Sequence, residues 1–414
     1  MNPPKKKLMK IKINQSISFI TINIIVAFLG FVRSFAFINF FDFNELGIIT
    51  LVSTGAMLIS FFQIGLINGG YRIIALQDKT SNEKVNNVIF SYIGILYLIL
   101  IILSAINLFL KIYSNTSIIL LVITIGIFSL VTNWLTNTLI GAREYKRLNL
   151  ANIISSLVSL GSLILAYYFG LIGALLSLLL QPLLFVGIVF ITDKKEIPTT
   201  FDLDFKHIKY ILKYGFIPFL SGIFFLLYQQ IERWSVNYYL GPDAIGKMYL
   251  VFLTTTLWLL IPTSINSLFF PKAVKYKNDN NIVEFKLIIK KYFLINILYS
   301  IISTLIIYFF FYPLIDIVFP KHSPYVYLVY IILPGLIIRT LSDPIGLFFN
   351  SIVYLKPILW SDVISTLFYL ITIIYLGTNE LFTLESILIC YCLYNLVKFL
   401  YLFLNFIVVK KYKI

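Results

Sequence analysis

The chain has 414 residues, 59% of them hydrophobic and only 12% charged, with a mean hydropathy of +0.92 and a formal charge of +15. No water-soluble domain is built from that composition. The basic residues are dispersed between apolar runs rather than gathered in one patch, which argues against a nucleic-acid partner and reads as the topology signal of a polytopic membrane protein.

Lys5, Lys6, Lys7, Lys10 and Lys12 precede an apolar run over 17–41 that is too long for a signal-peptide core and has no convincing cleavage site, so it reads as an uncleaved first membrane helix. Further runs long enough to cross ~30 Å of hydrocarbon, about 20 residues each, fall at 48–75, 88–110, 118–140, 150–169, 172–191, 214–239, 248–270, 292–311, 325–345, 358–376 and 384–409. They predict an all-α protein of about twelve transmembrane helices. The fifth and sixth are separated only by Gly170 and Gly173. The longest polar stretch lies between two sets of six, giving a first bundle over 1–195, a linker over 196–213 and a second bundle over 214–414.

Alternate connections hold the lysines and arginines: Lys79 and Lys84; Arg143, Lys146 and Arg147; Lys194, Lys195, Lys206, Lys209 and Lys213; then Lys272, Lys275, Lys277, Lys286, Lys290 and Lys291; Lys356; and Lys410, Lys411 and Lys413. The opposite loops hold only Lys111, Lys247 and Lys321, which places both termini on the cytoplasmic side. Those opposite loops are short, unlike the extended outer domain expected of a membrane polymerase or ligase.

The second half restarts the first. FFDFNELGIITLV from Phe40 returns as YLGPDAIGKMYLV from Tyr239, an offset of 199 residues that maps Gly47 onto Gly246 and Arg33 onto Glu232.

Of the six arginines, Arg143 and Arg147 share a loop, while Arg33, Arg72, Arg233 and Arg339 lie within or at the end of apolar runs. An Arg at the bilayer centre costs about 3 kcal/mol on insertion scales, so these residues face a partner or a wet cavity, and the guanidinium fork suits phosphate oxygens. Arg33 has no acid nearby in sequence and is the best single candidate for a substrate anion. Arg72 closes the second helix, where snorkelling to the surface explains it. Arg339 has Asp343 one turn later, so an ion pair and a substrate contact explain it equally. Arg233 and Glu232 are neighbours whose side chains diverge by about 100°.

On the first helix Asn23, Ala27, Gly30 and Ser34 form a small polar stripe with Arg33 on its margin; on the seventh, Ser221, Tyr228, Glu232, Ser235 and Tyr239 share a face beside Gln229 and Arg233. Small stripes also serve plain helix packing, a use for which Glu232 is unsuited. Pro182, Pro218, Pro262 and Pro334 permit bends within apolar runs. Asp316, Asp362, Glu385 and Lys398 fall near segment ends and are expected to be solvated at the interface.

Cys390 and Cys392 stand two apart on an apolar helix, where they cannot bridge locally, and His207 and His322 fall in loops; neither a disulfide framework nor a metal site is expected. There is no GxSxG, Walker loop, HExxH, CxxC or glycine-rich nucleotide fingerprint, so neither enzyme chemistry nor a cofactor is implied.

The opening unit, an apolar helix with Arg33 inside it, the turn FDFNELG and a second helix closing on QIGLINGGYR from Gln63 to Arg72, resembles the polysaccharide-unit flippases, including O-antigen flippases, of the multidrug, oligosaccharidyl-lipid and polysaccharide exporter (MOP) superfamily. The return of GPDAIG at Gly241–Gly246 fits that family's two-bundle duplication. The resemblance implies a V-shaped, alternating-access pair of six-helix bundles in a bacterial inner membrane. It would move an undecaprenyl-diphosphate-linked glycan, an O-antigen or lipopolysaccharide unit, to the periplasmic leaflet, alongside a polysaccharide polymerase and glycosyltransferases. It also implies a cationic cavity, which Arg33 and Arg233 match and Arg339 extends. Joining that cavity to the polar faces of the first and seventh helices gives the expectation that Asn23, Tyr228, Gln229 and Tyr239 contact sugars, that Arg72 is a further substrate-binding candidate, and that Glu232 and Asp343 serve ion coupling. Other readings are a multidrug antiporter of the same superfamily, whose site should be acidic and aromatic, and a membrane scaffold for glycan-assembly enzymes.

Overall fold

The structure, a computed structural model, describes residues 4–76, 82–110, 116–142, 144–192, 198 and 200–413; Lys79, Lys111, Arg143, Lys194 and Lys195 lie outside them. Among the described residues the regular elements are all helical, and ten helices are long and apolar enough to cross a membrane. The protein is a multi-pass membrane protein. It divides into two compact units, residues 1–220 and 221–414, with the division falling inside one long helix.

The first unit contains α1 (Pro4–Phe40), α2 (Phe43–Ile59), α3 (Leu66–Leu76), α4 (Asn82–Leu110), α5 (Thr116–Gly141), α6 (Tyr145–Gly161), α7 (Leu163–Thr192) and the start of α8 (Phe205–Leu240). The second contains the rest of α8, the short α9 (Pro242–Lys247), α10 (Tyr249–Asn278), α11 (Ile282–Ile306), α12 (Tyr312–Val318), α13 (Val326–Ser351), α14 (Lys356–Thr378) and α15 (Leu384–Lys413). The twelve expected segments correspond to these ten spans plus α6 and α8. At 17 residues, with Ser155, Ser156 and Ser159 on its buried face, α6 is both short and polar for a span.

The repeat is structural as well as textual. Asp42 caps α2 in a reciprocal box with Glu45, whereas α9 starts on Pro242 after Gly241 at φ 82°. Past these different starts the same positions are buried in both copies: Phe37 and Val236, Leu46 and Ile245, Ile49 and Met248, Val52 and Val251.

The segment expected to run unbroken over 48–75 is broken. After α2 a 3-10 turn, Ser60–Gln63, leads into Ile64 at φ 45° and Gly65 at φ 98°, and only then does α3 begin. The cause is a close backbone approach: a Cβ on Gly65 would stand 2.9 Å from the Gly215 carbonyl carbon of α8, and one on Gly215 would run into the Gly65 carbonyl oxygen. A second turn is at Gly170 (φ 57°, ψ −136°), which divides the fifth and sixth segments as expected.

Helix-breaking prolines are compensated from neighbouring helices. Pro262 and Pro344 lack the N–H that would bond the carbonyls of Trp258 and Thr340. Tyr299 Oη donates to Trp258 O at 2.7 Å and Asn296 Nδ2 to Thr340 O at 2.9 Å, so α11 ties α10 and α13 together.

Candidate functional site

In the first unit α1, α6 and α7 meet at Arg33. Its Nη1 donates to Ser159 Oγ at 2.6 Å and to Gln181 Oε1 at 3.0 Å, and Gln181 Nε2 donates on to Ser156 Oγ at 3.4 Å. Gln181 also lines a cavity of ≈ 440 Å³ whose polar groups come from Ser53, Ser129, Asn133, Asn152 and Ser155. Among the described residues no ionisable side chain lines it. Hydroxyls and amides in an apolar frame offer paired donors and acceptors without charge, the chemistry that suits sugar hydroxyls.

In the second unit the centre is Tyr228, 3% exposed. Its ring stacks on Tyr394 at 4.6 Å between centroids and meets Tyr369 edge-on at 6.4 Å, and its hydroxyl accepts from Arg339 Nη1 at 3.2 Å. Tyr228 forms the wall between two cavities. One, of ≈ 90 Å³, is lined by Gln229, Glu232, Arg233, Thr255 and Tyr391, with the Arg233 guanidinium 4.8 Å from the Phe252 ring centroid. The other, of ≈ 250 Å³, is lined by Arg339, Asp343, Lys398, Asn266 and Asn395.

The expected interfacial solvation of Asp362 and Lys398 is corrected here. Asp362 is 4% exposed, and its Oδ1 lies 2.5 Å from Lys398 Nζ, an ion pair joining α14 to α15 within the unit. Asp362 lies in the second turn of α14 and Lys398 at the middle of α15, and both point inward. A carboxylate removed from water requires such a partner.

Of the residues singled out in the sequence, Tyr228, Gln229, Glu232, Arg233, Arg339 and Asp343 come together around these two cavities. Tyr239 does not. It lies about 16 Å further along α8 at 1.5 Å per residue, 40% exposed, with its ring on Phe382. Asn23 is exposed on α1. Arg72 is exposed and donates to the Tyr214 carbonyl at 3.5 Å. That carbonyl is the one Pro218, lacking an N–H, leaves unfilled, so Arg72 has a use in helix repair.

Sequence reasoning missed Ser159, Gln181, Tyr369, Tyr391, Tyr394 and Asn395. The signal was present on α15, where Tyr391, Tyr394, Asn395 and Lys398 follow i, i+3, i+4, i+7, and on α6, where three serines share a face. That Ser159 and Gln181 partner Arg33 carried no such signal, because they lie 126 and 148 residues away from it.

Two helical units in one apolar chain, each carrying polar cavities, define a multi-pass membrane protein rather than a soluble or single-span one. A polysaccharide biosynthesis protein family model matches residues 39–288, more than half of the chain, and the chain belongs to that family. The fold is that of MOP superfamily transporters. An inward-facing multidrug resistance MATE family transporter superposes with a TM-score of 0.71 at 15% identity, covering 94% of this chain and 96% of that one. The lipid II flippase MurJ in an inward closed conformation gives 0.70 at 15% identity, covering 94% and 87%. A MOP superfamily transporter from Pyrococcus furiosus, described by the reverse polarity of its binding pocket, gives 0.62 at 14% identity, covering 96% of each chain. No curated protein matches the sequence.

Proposed function

We propose that the chain is a flippase that carries a diphosphate-linked oligosaccharide on an undecaprenyl lipid from the cytoplasmic to the periplasmic leaflet by alternating access, with both termini cytoplasmic in a bacterial inner membrane. The observation that carries the reading is the pairing of cavity types. One is uncharged and rich in hydroxyls and amides, and the other presents the Arg339 guanidinium beside asparagines, with Asp343 in the same lining and Lys398 held by Asp362. A lipid-linked glycan brings those two demands together, many hydroxyls and one compact multivalent anion. Membership in a polysaccharide biosynthesis family and a likeness of fold to a lipid II flippase support the same substrate class.

In this mechanism Arg33, Arg233 and Arg339 receive the diphosphate while the lipid chain stays in the bilayer. Tyr228 and Gln229 contact sugar, and Glu232 and Asp343 take up a proton or cation during the cycle. Arg72, Asn23 and Tyr239, which lie away from the cavities, contribute at the surfaces of their units. Polymerase and glycosyltransferases are the expected neighbours.

A second reading, a cation-coupled multidrug antiporter, is favoured by one feature: the Glu232 carboxyl lies with Tyr228 and Tyr391 in a single aromatic pocket, which it shares with Arg233. Deleting the gene in its host and extracting lipid-linked intermediates separates the two. The flippase reading expects a diphosphate-linked glycan to accumulate in the cytoplasmic leaflet, cleared by the wild type and not by an Arg33→Gln, Arg233→Gln double variant at equal membrane level. Normal surface glycan with heightened sensitivity to cationic drugs overturns it.

A further inference from the structure

Outside these cavities the second unit carries an apolar groove of ≈ 450 Å³ between α11, α13 and α15. Its floor is an aromatic ladder: Phe285 meets Phe348 at 5.9 Å between centroids, and Phe348 meets Phe406 edge-on at 4.8 Å. Along α11 the apolar lining continues past Lys290 to Ile297. At 1.5 Å per residue that is about 10 Å, roughly two-thirds of the ~15 Å depth of one leaflet's hydrocarbon.

The mouth of the groove is basic. Lys286 and Lys290, one turn apart on the same face of α11, are both exposed and both line it, and no carboxylate does. Among the described residues neither lysine has an ion-pair partner. In the topology proposed above this end of α11 is at the cytoplasmic headgroup level.

We infer that this groove is a docking site for the lipid carrier itself, taking the first part of a prenyl chain along the Phe285–Phe348–Phe406 ladder and its diphosphate on Lys286 and Lys290. The inference rests on the flippase reading for the identity of the lipid. Charge decides between this occupant and an ordinary membrane phospholipid. A phosphodiester brings one negative charge and two chains, whereas a prenyl diphosphate brings at least two charges and one chain, matching two ammonium groups above a single groove. Docking would hold the substrate in the leaflet where it is made before its headgroup enters a cavity.

The test is photo-crosslinking of the full-length protein in nanodiscs with a prenyl diphosphate bearing a photoreactive group on its chain and no sugar, followed by peptide mapping. The expected result is labelling of α11, α13 and α15 peptides, at least about tenfold weaker in Lys286→Gln, Lys290→Gln and displaced by Ile297→Trp, which fills the groove. Unlabelled prenyl diphosphate should compete, and phosphatidylglycerol at the same concentration should not. Labelling elsewhere, labelling indifferent to both lysines, or equal competition by phosphatidylglycerol overturns the inference. Glycan flipping by the wild type in proteoliposomes, measured in parallel, keeps the two readings apart. Flipping without groove labelling defeats the groove alone, and groove labelling without flipping defeats the flippase reading alone.

Discussion

Replacing Lys398 with Met keeps the length of the side chain and removes its charge, leaving the Asp362 carboxylate, 4% exposed, without the ammonium 2.5 Å away. Breaking one side of a buried pair costs about 3–5 kcal/mol. The Lys398 side chain is 22% exposed and lines the ≈ 250 Å³ cavity, so water reaches the pair from one side, and about 2–4 kcal/mol is the better expectation. In a unit of this size 1 kcal/mol moves a melting midpoint by about 2–4 °C, which puts the variant roughly 4–16 °C below the wild type. Lys398→Met with Asp362→Leu removes both charges and should return to within about 1.5 kcal/mol of the wild type. The assay is thermal unfolding of the purified protein in one detergent at one protein concentration for four chains, the wild type, each single variant and the double. A neutral single variant, or a double variant whose loss equals the sum of the two single losses, would refute the claim that the charges are buried against each other.

Asn296→Leu removes the donor that fills the Thr340 carbonyl left open by Pro344; orphaning that acceptor should cost about 1–3 kcal/mol in the same unfolding assay, while Leu at an exposed site such as Asn379 should cost almost nothing. Gly215→Ala places a methyl group 2.8 Å from Gly69 Cα and into the Gly65 carbonyl, backbone on both counts, so it should lower the folded yield and cost about 1–3 kcal/mol of stability, read as a lower melting midpoint, where Gly222→Ala, with open space around it, does not. In the segment leading into α8, the backbone N–H of Asp204 and then the His207 ring hold the Asp202 carboxyl below its ordinary pKa. A depressed carboxylate pKa stabilises above the unfolded value and loses that contribution as pH falls through the folded one. Protection of the Asp204 amide from hydrogen exchange, corrected for the intrinsic rate, should therefore fall below about pH 4 and be lost at neutral pH in Asp202→Ala, which removes the acceptor, while Asp202→Asn, whose amide oxygen still accepts, keeps part of it and loses the pH dependence.

Much of the architecture is legible in the sequence because its signals are local. Twenty-residue apolar runs, the 199-residue offset and the turn at Gly170 all report on the chain within a few residues of themselves. The break at Ile64–Gly65 is not local. Gln63 and Gly65 interrupt the apolar run there, but the backbone that packs against the turn is that of Gly215, 150 positions later. The sites divide in the same way. Tyr228, Glu232 and Arg233 stand out as polar residues in an apolar helix and do line a cavity, because burying such groups without a purpose is costly. What they touch comes from α13, α14 and α15, and no periodicity on α8 reveals it. Asp362 and Lys398 show the limit best: nothing on either helix names the other as its partner, and only the packing of α14 on α15 brings the two charges together.

The central claim is tested most directly by proteoliposomes carrying a fluorescent diphosphate-linked oligosaccharide in both leaflets, with an external reductant that quenches only the outer one. Wild-type protein should expose nearly the whole pool to quenching, and the Arg33→Gln, Arg233→Gln variant, reconstituted at the same density, should leave it near the protein-free half. A wild type that leaves the pool at half, while moving organic cations across the same membranes, would contradict the account.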